Sequence, residues 1–176
     1  MTSTPVPEVS YSVSRLTVPT GSTPAQFRAR YEQAVPPLPV DDVAALVSRQ
    51  APWQEMLDLV ATAAPLGFLI YATTDVDAVV ALAGDQASGV AYLMGNHTLM
   101  ERMFRYEPAI LMYAPLHTVI WGDPDGAGYF TFDRPSDQFA SFDRPQIADV
   151  GAELDHKLAV LLEHLGVPVP RALLAG

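Results

Sequence analysis

Between Gly95 and Trp121 the chain reads GNHTLMERMFRYEPAILMYAPLHTVIW, and this run limits the fold more than any other. The apolar stretch Gly89 to Met94 is predicted to be a strand that exits at Gly95-Asn96. Asn96 or His97 can cap a helix reaching about Tyr106, which Pro108 ends. Apolar residues return as Ile110 to Tyr113 and Leu116 to Trp121, read as one strand bent or interrupted at Pro115. Two of the four histidines, His97 and His117, fall in this segment at turn-like or strand-edge positions.

The flanking sequence supplies more of both element types. Val9 to Val18 alternates apolar residues with serines, as a half-buried strand does. Pro19-Thr20-Gly21 turns the chain, and Ser22 or Thr23 caps a helix to about Ala34, with Pro24 at its first position. The prolines of Val35 to Pro39 exclude helix. Further helices are predicted from Asp41 or Asp42 through Ser48 and from about Pro52 to Ala64. Leu66 to Tyr71 reads as a central strand, and Asp75 caps a short helix to about Ala83.

Asp123-Pro-Asp-Gly126 signals a hairpin, with Tyr129 to Phe132 pairing back. Phe132-Asp-Arg-Pro135 recurs as Phe142-Asp-Arg-Pro145, each copy suited to open a turn or a helix. The final helix, about residues 146–165, carries the clearest stripe: Ile147, Val150, Leu154, Leu158, Leu161 and Leu165. The expectation is a single α+β domain over 1–176, a two-layer sandwich of a mostly antiparallel sheet packed by helices, after a loose leader at 1–7.

Charge and residue types narrow the function. Twenty Asp and Glu against ten Lys and Arg leave a net charge of −10, so neither nucleic acid nor an anionic membrane is an expected partner. Zero cysteines exclude disulfides, thiolate catalysis and cysteine-held metal. The N-terminus lacks the pattern of a signal peptide, and the most apolar stretch, Ala78 to Leu82, is too short to span a bilayer, so a cytoplasmic location is expected. Phosphate-binding glycine patterns and a Gly-x-Ser-x-Gly elbow do not occur.

From about Met56 to Ser136 the chain resembles the domain-of-unknown-function 302 family. The likeness rests on order: Leu66-Gly67-Phe68 after a helix, Thr73-Thr74-Asp75-Val76, a strand into Gly95-Asn96, a helix, and an apolar strand at Pro115. Val119-Ile-Trp121 and a return strand to Asp133-Arg-Pro135 follow. The N-terminal strand also suits that family. The resemblance implies a compact α+β sandwich that forms homodimers, and implies no activity. Against it, residues 23–48 stand out as a helical insertion. His97 stands where the family usually has proline, and Leu116-His117 where it often has Cys-Asn.

Those two histidines suggest one pocket. His97, Glu101 and His117 are candidate metal ligands, His97 and Glu101 sharing a helix face at a spacing of four. Alternatively Glu101 pairs with Arg105, and His97 merely caps an amide or faces solvent. Haem is a further candidate cofactor, given His beside Met or Tyr. His117 and His97 are candidate catalytic acid–base groups, with Tyr113 on the same strand face as His117.

Met94, Met100, Met103 and Met112 surround the segment with Phe104, Tyr106 and Tyr113, and either line an adaptable apolar pocket or fill an ordinary core. Asn96, Met94, Met112, Tyr113 and Tyr71 are the expected ligand-binding residues. Three functions stay open: binding of a small apolar or aromatic molecule, an enzyme in the same pocket, and a dimeric interaction module without ligand. His156 and His164, off the last helix's stripe, are read as surface residues.

Overall fold

The computed structural model describes residues 6–84 and 88–174. The leader expected over 1–7 therefore lies outside the described residues, except for Val6 and Pro7.

Five strands form one antiparallel sheet: β1 (Arg15–Pro19), β2 (Leu69–Asp75), β3 (Gly89–Gly95), β4 (Leu116–Gly122) and β5 (Gly128–Asp133), in the order β1-β5-β4-β3-β2. Alternation along β3, β4 and β5 sends Val90, Tyr92, Met94, Leu116, Ile120, Phe130 and Phe132 to one face, where each is buried. The helices pack there: α1 (Pro24–Ala34), α5 (His97–Phe104), α6 (Pro135–Ala140) and α7 (Pro145–His164). The opposite face carries His117, Val119, Trp121, Tyr129 and Thr131, exposed or half-buried. The chain is thus an α+β sandwich of two layers.

Local chemistry explains the helix starts. Thr23 and Gln26 form a reciprocal capping box with Pro24 in the first turn. α2 (Val40–Ser48) and α3 (Trp53–Ala63) follow the proline break, the short α4 (Asp77–Ala81) follows β2, and Met56 and Val60 of α3 bury against Leu69 in a second, smaller core. Both Phe-Asp-Arg-Pro copies open helices, Arg134 before α6 and Arg144 before α7, with proline at the first position each time. In α7 the stripe Ile147, Val150, Leu154, Leu158 and Leu161 is buried, whereas His156 and His164 are exposed.

Three strand expectations are corrected. Of the stretch Val9 to Val18 only Arg15 to Val18 pairs, within β1; the Ser14 N–H just before it donates instead to Asp137 Oδ2 of α6 at 2.8 Å. The predicted central strand is the sheet edge. It extends to Asp75, and its outer edge pairs with the Pro36–Leu38 segment through a parallel bridge from Pro37 to Ile70. The predicted bent strand from Ile110 is no strand until Leu116: Pro108–Met112 is a 3-10 turn, capped by the Glu107 carboxylate accepting from the Ala109 N–H at 3.2 Å. Among the described residues no helix is long and apolar enough to cross a membrane.

Candidate ligand pocket

β3 ends at Gly95, where a side chain has no room: a Cβ would lie 3.1 Å from Pro115 Cβ and 3.4 Å from the Tyr71 ring. Asn96 then caps α5. Its Oδ1 accepts from the Thr98 N–H at 2.8 Å and the Thr98 hydroxyl at 2.7 Å, and its Nδ2 donates to the Gly67 carbonyl at 2.9 Å. The Asn96 side chain is thereby committed to the protein, holding the turn that aims His97.

His97 is the first residue of α5, and its imidazole packs against Tyr71, ring centroids 4.9 Å apart. Tyr71 reaches it from a bulge in β2: Ile70 pairs with Met94 and Ala72 with Leu93, leaving Tyr71 unpaired between them. Burial pushes the Tyr71 phenol up, partly offset by the His97 backbone N–H. Burial also lowers the His97 imidazole below its ordinary value, which favours the neutral ring at pH 7. His97 Nδ1 is buried and has no hydrogen-bond partner among the described residues.

Beside this pair lies a cavity of about 130 Å³. Helix α5 contributes Leu99, Met100 and Met103, and the segment entering β4 contributes Leu111, Ala114, Pro115 and Leu116. Phe139 of α6 and Leu154 of α7 complete the wall, with Leu111 at the rim 52% exposed. The lining includes no Asp, Glu, Lys or Arg. Its uncommitted polarity is concentrated at the His97–Tyr71 end.

The predicted site residues separate into three groups. Asn96, His97 and Tyr71 meet at this cavity. His117 does not: it is exposed on β4, cross-strand from Leu93, while its neighbour Leu116 points into the helix layer. Strand alternation therefore puts His97 and His117 on opposite sides of the sheet, and the shared two-histidine site is corrected.

Met94, Met112 and Tyr113 also lie off the cavity wall. Met94 is fully buried and accepts from the Tyr31 hydroxyl at 3.2 Å. Met112 is 75% exposed. Tyr113 ends the 3-10 turn and packs on Tyr11, Phe139 and Phe142, with its hydroxyl bonded to that of Tyr11. That bond first, and burial second, leave the Tyr113 phenol pushed up to about 12.

Glu101 is held by Arg105, whose Nη2 lies 2.5 and 2.6 Å from its two carboxylate oxygens. Among the described residues no three His, Asp or Glu side chains converge as metal ligands, so the triad His97, Glu101 and His117 is corrected. Haem does not fit beside His97 either, since a cavity of about 130 Å³ is of one-ring size and a macrocycle of four pyrroles exceeds it.

Sequence reasoning missed Phe139 and Leu154, which reach the cavity from helices more than twenty residues downstream. It included Met100 and Met103 in the methionine cluster but did not separate them from Met94 and Met112. Their helical spacing from Asn96 and His97 was the available sign.

A family model described as "Domain of unknown function DUF302" matches residues 46–165, a wider span than the motifs alone delineate. The crystal structure of an uncharacterized conserved protein DUF302 from Bacillus stearothermophilus is similar with a TM-score of 0.61 at 14% sequence identity, covering 86% of this chain and 97% of that one. At that identity the likeness shows the fold alone. None of the curated proteins compared matches the sequence.

Proposed function

The chain belongs to the DUF302 family, and from that fold we propose that it binds a small, largely apolar molecule in the cavity beside His97. One observation carries this reading: a cavity walled by apolar side chains ends at the His97 imidazole, whose Nδ1 is buried and has no partner among the described residues. Core packing ordinarily fills such space and pairs such atoms. A ligand that enters does both. The volume of about 130 Å³ suits it, since an apolar cavity of about 150 Å³ in another protein takes up benzene. The enzyme reading that needs His97 and His117 together loses its support, because the sheet lies between them.

The test is a titration with toluene, followed through methyl resonances of the six methionines. Saturable shifts at Met100 and Met103, with Met56 of the smaller core unmoved, are expected. Leu111→Trp, at the half-exposed rim, should abolish them while the fold persists by circular dichroism. No saturable shift, or shifts spread evenly over all methionines, would refute the reading.

The homodimer implied by the family is a separate proposal. The sheet face away from the helices supports it, since Trp121 there stacks on Tyr129 with centroids 4.7 Å apart and both rings are half-buried. Light scattering coupled to size exclusion decides it. A monomer mass at micromolar concentration would exclude it.

A further inference from the structure

Resting on that reading of the cavity, we infer that its ligand class is the simple phenols: uncharged, one-ring molecules whose single hydroxyl bonds to His97 Nδ1.

Size, charge and hydrogen bonding each remove alternatives. A cavity of about 130 Å³ holds one ring, and a fused ring system or a long acyl chain would extend past the exposed Leu111 rim into solvent. An ionised ligand would enter without a counter-charge: the lining has no charged side chain, and the nearby Glu101 carboxylate is occupied by Arg105. Burial holds the imidazole in its neutral form, so it does not act as an anion receptor.

One polar group on the ligand matches the wall. Each polar atom of the Asn96 side chain has a partner, Oδ1 in Thr98 and Leu99 and Nδ2 in Gly67 through one of its two hydrogens, whereas His97 Nδ1 is buried with none among the described residues. Water is a poor occupant, because it needs two to four polar partners and would lie among Met100, Met103, Phe139 and Leu154.

A hydroxyl is favoured over a carbonyl for a tautomeric reason. Neutral imidazole presents Nδ1 either as a donor or as an acceptor; a hydroxyl answers both, and a carbonyl only the first. As the ring stands Nδ1 is closed off from the cavity, and the broad terminal torsion of histidine lets the ring turn it inward without moving the backbone. The aromatic ring then meets two thioethers and the Phe139 ring, contacts that favour an arene over an aliphatic alcohol.

The experiment compares phenol and toluene, matched in size, and the larger one-ring anion benzoate, by calorimetry and by the His97 imidazole ¹⁵N signal in the full chain. Phenol is expected to bind at least tenfold tighter than toluene despite being less hydrophobic, benzoate not to bind, and phenol alone to move the Nδ1 resonance. In His97→Phe the ratio of phenol to toluene affinity should fall to one or below, whatever the absolute affinities. The ¹⁵N readout on the unaltered protein holds even if that variant fails to fold.

Toluene binding equal to phenol, or a phenol preference unchanged in a folded His97→Phe, would overturn the hydroxyl assignment and leave the apolar cavity reading intact. Failure of toluene and phenol alike would overturn both.

Discussion

The imidazole of His97 rests on the ring of Tyr71, centroids 4.9 Å apart at an angle of 54°. Two local irregularities produce this contact: Tyr71 is the unpaired residue of the β2 bulge, and His97 opens α5 directly after the Asn96 cap. A regular β2 would return Tyr71 to strand alternation and take its ring off the end of the sheet.

Tyr71→Ala is therefore expected to destabilise the fold by about 2 kcal/mol through lost packing, while Tyr71→Phe changes it by less than about 1 kcal/mol. Urea unfolding of the two variants checks this. Equal losses would show that the hydroxyl, rather than the ring, supports His97.

Removing the unpartnered nitrogen should not harm the protein. An unsatisfied buried polar group costs about 1–3 kcal/mol, so His97→Phe is expected to raise the melting temperature by about 2–4 °C for each kcal/mol recovered. A lowered melting temperature would mean that Nδ1 already has a partner in solution.

The same variant carries a pH signature. His97 is lowered from 6.5 by burial, so as the pH falls through 6.5 the unfolded chain takes up a proton that the folded protein resists. The wild type therefore loses stability over that range, until the folded-state value is passed and the loss levels off. His97→Phe lacks this loss, and its advantage should grow between pH 7 and pH 5. A difference that stays constant across that range would contradict the burial of the imidazole.

Asp155, 3% exposed on α7, accepts from Arg134 Nε at 2.8 Å and from the Ser136 N–H at 3.0 Å. It ties the start of α6 to the long helix. Asp155→Ala leaves both donors without that carboxylate and should cost about 3 kcal/mol, with Asp155→Asn intermediate. Chemical denaturation reads the order, and a cost below about 1 kcal/mol would reduce the pair to a surface ion pair in effect.

Gly151→Ala sets helix propensity against packing. Alanine gains about 1 kcal/mol within a helix, yet its Cβ would sit 3.0 Å from Phe139 Cβ and 3.1 Å from Ser136 Cα. The close approach should win, shifting Phe139 and weakening toluene binding severalfold even where stability changes little. Unchanged toluene affinity would remove Phe139 from the working wall of the cavity.

Features written in local chemistry were legible along the chain. Thr23-Pro24, Asn96 and the two Arg-Pro pairs mark helix starts because each satisfies or removes free amides within a few residues. The stripe of α7 and the Asp123 turn were readable for the same reason. Asp123 Oδ1 accepts from the Asp125 and Ala127 N–H groups within its own loop.

What depended on distant partners was not legible. Ile110 to Tyr113 is as apolar as a strand, but the Glu107 cap and Pro108 wind it into a 3-10 turn. That change detaches Tyr113 from His117. Leu66 to Tyr71 looks central by hydrophobicity, yet it is the sheet edge, where α3 and the Pro36–Leu38 segment supply the apolar cover a central strand takes from neighbours.

Sequence proximity brought His97 and His117 into one segment, and the sheet then divided them, because residues alternate across a strand while a helix lies on one side of it. Residue order and capping chemistry thus settled the helix starts and the α+β class. Which side chains share a cavity was decided by the packing of α5, α6 and α7 over a single sheet face, a matter of burial between residues far apart in the chain.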